Sequence, residues 1–226
     1  MYRRKIVLDF DGTIIRLFEN YDLSKVTEKI YSFLNPYGVK FSLACDAFDS
    51  FSCVMNAGLS PSITKKLLKQ VDCIITEAEI EALQSGIPVD GFRDFLKFSE
   101  KEKISIGIAS NNSEACINTF LTMYYPSAHI PVVGREALHP EWLKPHTHSL
   151  EKICSLLSCE KENVVFVGDT IRDYQCAQNY GLSFIALTPT VRKYERILSK
   201  GLNPYAVKIV KNFEELTKFL FEGNER

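Results

Sequence analysis

Two pairs of aspartates are the residues best suited to chemistry. Asp9 and Asp11 stand in Asp9-Phe10-Asp11-Gly12-Thr13, directly after the apolar run Lys5–Leu8. Side chains alternate along a strand, so the two carboxylates share a face if the extended geometry persists, and Gly12 then permits a sharp turn. Asp169 and Asp173 stand in Gly168-Asp169-Thr170-Ile171-Arg172-Asp173, after a second apolar run. They fall about one helical turn apart and can point at one locus. Like charges held close raise one another's pKa, and a cation relieves the repulsion. Four carboxylates at two strand ends suit a hard cation with oxygen ligands, most simply Mg²⁺. Each pair alone has a plainer reading. Asp-Gly is a common turn, and an aspartate in the first turn of a helix complements its dipole.

Two further segments add hydroxyl, amide and ammonium groups. Ser110-Asn111-Asn112 follows the apolar run Ile104–Ala109 and precedes a helical pattern. A hydroxyl and free backbone amides there can hold phosphate oxygens, or form an ordinary helix cap. Lys144-Pro145 lies in a loop. An isolated lysine is a solvated charge, and Lys144 becomes a candidate phosphate clamp through the other three segments. Arg16 lies just beyond the first aspartate pair, where its guanidinium can grip a substrate carboxylate or second phosphate, or form a surface salt bridge. His146 and His148 lack further ligands at metal-site spacing and read as loop residues.

Positioning these groups requires strands that end together. Lys5–Asp9, Ile104–Ala109, His129–Val133, Val164–Val167, Ser183–Leu187 and Ala206–Val210 read as buried strands, alternating with helical patterns. Apolar faces recur at Ile117, Phe120, Leu121 and Tyr124, at Leu150, Ile153 and Leu157, and at Phe213, Leu216, Phe219 and Leu220. The last is opened by Asn212 with Glu215 three residues on, a capping-box pattern. This alternation implies an α/β fold, a doubly wound and mostly parallel sheet covered on both faces. The aspartates would then lie at carboxyl ends of parallel strands, where open sheets of this kind bind ligands. The stretch from Ile15 to Pro88 shows no strand but three helical candidates, near Leu23–Leu34, Ser42–Asn56 and Ser62–Gln84. The third carries an apolar stripe of Ile63, Leu67, Val71, Ile74, Ile75, Ala78 and Ala82 behind Pro61. Residues 1–14 and 89–226 are therefore expected to form an α/β core and residues 15–88 an inserted helical cap, with Gly86–Gly91 as the return linker.

Composition narrows the classes. The chain has 226 residues, 46% hydrophobic and 24% charged, with a net charge of −1. That supports a packed core and gives no general pull on nucleic acid or anionic lipid. No apolar run approaches a membrane span, and the basic amino terminus is followed by too few apolar residues for a secretory signal. Seven cysteines without a Cys-x-x-Cys pair read as reduced thiols, which points to the cytoplasm. There is no GxxxxGK or GxGxxG element, so ATP and NAD are not expected as cofactors.

In order, Asp-x-Asp-Gly-Thr, Ser-Asn, Lys-Pro and Gly-Asp-x-x-x-Asp resemble the four motifs of the haloacid dehalogenase-like superfamily. The helical insert after the first motif is similar to the phosphoglycolate phosphatase-like subfamily with a small helical cap. The resemblance implies that the first and fourth strands lie side by side. It implies phosphoryl transfer, with Asp9 as nucleophile and Asp11 as general acid and base. Mg²⁺ would be held by the Asp9 carboxylate, the Asp11 carbonyl and Asp169, with Asp173 acting through water or behind the ligands. Ser110, the Asn111 amide and Lys144 would bind the transferring phosphoryl oxygens. An aspartate at position 11 argues against carbon–halogen chemistry. The implied substrate is a small phosphorylated metabolite. A sugar phosphomutase and a catalytically silent phosphate- or metal-binding module are the alternatives. The chain departs from many relatives in having Ile14-Ile15-Arg16-Leu17 after the first motif and Lys144-Pro145-His146 in place of a Pro-x-Pro element, so the substrate stays open.

Overall fold

A computed structural model describes residues 5–205 and 207–222. In chain order the elements are β1 (Lys5–Leu8), β2 (Ile15–Arg16), α1 (Leu23–Leu34), α2 (Asp49–Met55), α3 (Pro61–Ala82), β3 (Ile87–Pro88), α4 (Phe92–Lys101), β4 (Ile106–Ala109), α5 (Glu114–Tyr124), β5 (Val132–Val133), α6 (His148–Leu156), β6 (Val164–Gly168), α7 (Ile171–Tyr180), β7 (Ser183–Leu187), α8 (Val191–Ser199), β8 (Lys208–Val210) and α9 (Phe213–Thr217). Six strands form one sheet in the order β5-β4-β1-β6-β7-β8, and every pairing in it is parallel. The fold is α/β, as the alternating pattern requires. Ile6 and Leu8 of β1 pack on one face with Phe92, Phe95, Phe120 and Phe213 from α4, α5 and α9. Val7 points to the other face, among Leu150 and Ile153 of α6 and Ala177 of α7. Near-continuous apolar strands are what burial on both faces demands.

The topology explains how distant motifs meet. β1 lies between β4 and β6, with Leu8 level with Ile108 on one side and Val167 on the other. The residues that follow these three strands, Asp9, Ser110 and Asp169, therefore emerge side by side. Asp9 N–H still donates to Val167 O at 2.8 Å, and Ser110 N–H to Val133 O at 3.0 Å.

The stretch read as free of strands contains β2, which pairs antiparallel with β3 inside the expected return linker, Ile15 opposite Pro88 and Arg16 opposite Ile87. Two residues per strand are too few to leave a periodic signal. The helix expected over Ser42–Asn56 is only α2. Before it, Asp46 Oδ1 accepts from Phe48 N–H at 3.0 Å and Asp49 Oδ2 from Asp46 N–H at 3.1 Å, local bonds that compete with helix. The strand expected over His129–Val133 shortens to β5, since Pro131 has no N–H to donate. Ile63 and Phe219, placed on apolar faces, are 37% and 41% exposed. Asn212 caps α9 by accepting from Glu215 N–H at 2.9 Å, but Glu215 returns its bond to Lys211 N–H rather than to Asn212. His148 opens α6 rather than lying in a loop, and its ring stacks on Trp142. Ala206 and the first four residues of the basic amino terminus lie outside the described residues.

The buried side chains of α1, α2 and α3, among them Val26, Ile30, Phe51, Leu67, Val71 and Ile75, form an apolar cluster of their own. The chain enters this region through β2 and leaves it through β3. Among the described residues, no helix is long and apolar enough to cross a membrane.

Candidate active site

The first aspartate pair sits in a tight turn. Ile14 N–H donates to Phe10 O at 2.8 Å, Gly12 N–H donates to Ile15 O at 2.6 Å, and Gly12 has φ +89°. An added Cβ at Gly12 would overlap Asp169 Oδ2 and Lys193 Nζ, so only glycine lets the backbone approach the second motif this closely. Asp11 Oδ1 accepts from Leu17 N–H at 2.9 Å, which ties it to the start of the inserted region.

Lys144 is the centre of the cluster. Its Nζ donates to Asp9 Oδ1 at 2.6 Å, to Asp173 Oδ1 at 2.5 Å and to Ala109 O at 3.3 Å. The Asn111 side chain fixes its backbone, accepting from Lys144 N–H at 2.8 Å and donating to Lys144 O at 3.4 Å. Burial disfavours the ammonium, but Asp173 and Asp9 outweigh it and hold its pKa above the usual lysine value. Ser110 is buried beside Asp9 and donates from Oγ to Asn112 Oδ1 at 3.0 Å. The Asn111 N–H, assigned above to phosphoryl oxygens, donates to no acceptor among the described residues.

Asp173 is nearly saturated by the protein. Besides Lys144 it accepts from Thr170 N–H at 3.0 Å and Thr170 Oγ1 at 2.5 Å, closing a reciprocal capping box on α7. Asp169 differs. Its Oδ2 takes the Lys193 ammonium, while its buried Oδ1 has no hydrogen-bond partner among the described residues. Oxygens of Asp9, Asp169 and Asp173 lie within 4.8 Å of one another. The residues fit a divalent cation on two observations: the orphaned Asp169 oxygen and the charge balance. Among the described residues, the four carboxylates Asp9, Asp11, Asp169 and Asp173 meet two ammonium groups, Lys144 and Lys193, which leaves two negative charges for a hard dication.

Without that cation the carboxylates resist ionising. Desolvation pushes Asp169 up to about 7 and Asp11 up to about 6, with Lys193 opposing both shifts, and burial also raises Asp9 against the pull of Lys144. The unfolded chain ionises these groups near 3.8. Between about pH 4 and about pH 7 the folded protein thus holds protons that the unfolded chain has lost, and stability falls as pH rises through that window. In EDTA the melting temperature is expected to drop between about pH 5 and about pH 7.5, and magnesium to raise it more at the higher pH. A metal-free melting temperature that rises over this range would contradict the assignment.

The remaining groups are a network that spacing does not reveal. Glu79 of α3 and Arg135, just after β5, are both fully buried at their side chains and paired at 2.9 Å. Arg135 also donates to Asp72 Oδ1 at 2.6 Å, Thr76 Oγ1 at 3.0 Å and Asn111 O at 2.9 Å. Glu79 accepts from Asn112 Nδ2 at 3.1 Å and Ser113 N–H at 3.0 Å. The long helix of the inserted region is thus bonded directly to the Ser110–Ser113 loop. Lys193 is the other residue missed, since nothing in the pattern of α8 marks a side chain that reaches the aspartates. Arg16 pairs with Glu19 at 3.5 Å and also lines the cavity that contains Asp9 and Asp11, so both of its sequence readings have a counterpart.

Solved structures of similar fold include a predicted phosphatase from Clostridium acetobutylicum (TM-score 0.67, 16% identity, covering 98% of this chain and 100% of that one). A hydrolase from Pseudomonas syringae is similar (TM-score 0.65, 15% identity, 97% and 98% covered). At these identities the likeness is one of fold. An uncharacterized hydrolase of Saccharomyces cerevisiae is 24% identical over 155 residues, 68% of this chain and 70% of the yeast protein. The model of the haloacid dehalogenase-like hydrolase family matches residues 6–187, which carry all four motifs and the insert between them. The chain belongs to the haloacid dehalogenase-like hydrolases.

Proposed function

We propose that this hydrolase is a phosphomonoesterase that cleaves a small phosphorylated metabolite through a phosphoryl group carried on Asp9. The observation that carries the reading is the Lys144 ammonium held between Asp9 at 2.6 Å and Asp173 at 2.5 Å, in one cavity with Asp11, Ser110 and Asp169. A carboxylate approaching a phosphate dianion meets repulsion of about 4 kcal/mol per pair of unit charges at 4 Å and an effective dielectric near 20. The Lys144 ammonium offsets part of that repulsion, and a cation bound by the neighbouring carboxylates would offset the rest.

In the first step an Asp9 oxygen bonds to phosphorus as the ester oxygen leaves with the bonding pair. Asp11, its carboxyl raised to about 6, is poised to donate the proton that the leaving oxygen needs. The ionised Asp11 then takes a proton from water as that water attacks phosphorus and frees the Asp9 carboxylate and inorganic phosphate. Lys144, Ser110 and the Asn111 N–H are the donors for phosphoryl oxygens, and Asp173 orients Lys144. Asp9, the Asp11 carbonyl and Asp169 would hold magnesium, which when bound supplies positive charge to the carboxylates and to the developing phosphoryl charge. Lys193 would have to yield Asp169 for this. Residues 15–88 serve as the cap over a cavity of about 910 Å³, and limit the entry of water. Seven free cysteines fit a reducing, cytosolic setting.

Incubation with p-nitrophenyl phosphate is expected to release phosphate with magnesium and to stop in EDTA. Full activity in EDTA would remove the metal from the scheme. A sugar phosphate returned as an isomeric ester, with no inorganic phosphate, would identify a phosphomutase instead.

A further inference from the structure

The cavity extends beyond the carboxylates along α8, whose Arg192, Lys193 and Arg196 line it together with Lys200 just past the helix end. Arg192, Arg196 and Lys200 are spaced four residues apart and so share one side of the helix. Arg16 of β2 and Arg172 of α7 line the same cavity. Among the described residues, no carboxylate pairs with Arg172, Arg192, Arg196 or Lys200. Outside the central cluster the acidic residues lining the cavity are Glu19, which faces Arg16, and Asp46, which is bonded to the Phe48 N–H ahead of α2. On a chain of net charge −1 this is a concentrated and uncompensated positive wall.

Its placement gives it a use. Lys193 reaches Asp169 and lines the same cavity, so the inner part of α8 lies beside the reaction centre. At 1.5 Å per residue, Arg196 and Lys200 lie about 4.5 Å and about 10 Å farther along the helix axis. The cap contributes Leu23, Val26, Leu43 and Phe48 to the same cavity. A cation row along the open side of a cavity that ends at the carboxylates suits a small molecule reaching from one to the other. We propose that Arg192, Arg196 and Lys200 bind a second phosphate of the substrate. The substrate class is then a bisphosphorylated metabolite whose two phosphates are separated by a sugar-sized body. This rests on the phosphomonoesterase reading. The guanidinium groups suit the task because they bind phosphate oxygens bidentately and stay charged.

The test compares matched pairs: fructose 1,6-bisphosphate with fructose 6-phosphate, and adenosine 3′,5′-bisphosphate with adenosine 5′-monophosphate. In at least one pair the bisphosphate is expected to show a kcat/KM about tenfold to a hundredfold higher, expressed mainly in KM. Arg196→Gln and Lys200→Gln, at exposed positions where folding is not at stake, are expected to bring that ratio toward one, as is added salt. Calorimetry on Asp9→Asn reads binding of the same pairs without turnover. Tighter binding of a bisphosphate that the α8 substitutions erase, with no phosphate released by the wild type, would sustain the subsite and overturn the phosphatase reading. Phosphate release with equal kcat/KM within both pairs, or a preference indifferent to the α8 substitutions, would overturn the subsite alone. Neither release nor preferential binding would overturn both.

Discussion

Asp9→Asn is expected to abolish phosphate release, lowering kcat/KM by on the order of 10⁴-fold or more, with the fold retained. The substitution keeps the shape of the side chain and an oxygen that can accept from Lys144, so the packing at the end of β1 is unchanged. It removes the negative charge and the nucleophilic oxygen that a covalent route requires. Lys144 keeps Asp173 as its counter-ion at 2.5 Å, so no cation is stranded. Phosphate release from p-nitrophenyl phosphate and a thermal melt, measured together, check both halves. A variant with wild-type melting and a rate within tenfold of wild type would exclude Asp9 as nucleophile.

The largest effect on stability is expected at the Arg135–Glu79 pair. Both side chains are fully buried, and removing one partner of such a pair leaves the other charged and unmatched, a loss of about 3–5 kcal/mol. In Arg135→Met the Glu79 carboxylate keeps only the Asn112 and Ser113 donors, while Asp72 and Thr76 lose a partner. Glu79→Gln is milder, because Arg135 retains Asp72 at 2.6 Å. Urea unfolding is the measurement, with Arg135→Met the less stable of the two. Since Glu79 holds the loop carrying Ser110 and Asn111, Glu79→Gln is also expected to lower kcat/KM. A loss of stability with unchanged kinetics would reduce the network to a structural tie.

What the sequence reveals and what it hides follow from the range of each interaction. The strands ending at Leu8, Ala109 and Gly168 are legible, the first and third to within one residue, because parallel strands buried on both faces must be continuous apolar runs. The helix over Leu23–Leu34 is legible because its apolar spacing is regular and Asp22 caps it, accepting from Ser24 N–H at 3.1 Å. The ribbon of β2 and β3 is not legible, since two-residue strands carry no period and pair across the whole insert. Lys193, Glu79 and Arg135 are hidden for a different reason. A lysine on an amphipathic helix, and a glutamate beside an apolar stripe, have the same local signature whether they face water or a buried partner. Residues 112 and 135 meet because β4 and β5 run parallel side by side, with Arg135 N–H donating to Asn112 O at 2.9 Å, and Glu79 reaches both from α3. Asp173 was legible as a member of the cluster, but its bonds to Thr170 and Lys144 depend on the cap of α7 and on a loop 29 residues upstream.

The central claim is that phosphorus passes through Asp9, and the most direct test is to trap it there. Acid-quenching the enzyme during turnover of p-nitrophenyl phosphate with magnesium, then reducing with borohydride, converts an aspartyl phosphate to homoserine that peptide mass spectrometry can locate. Homoserine at residue 9, more abundant in Asp11→Asn where hydrolysis of the adduct is slowed, is the expected result. Steady phosphate release with residue 9 recovered only as aspartate in both proteins would contradict it.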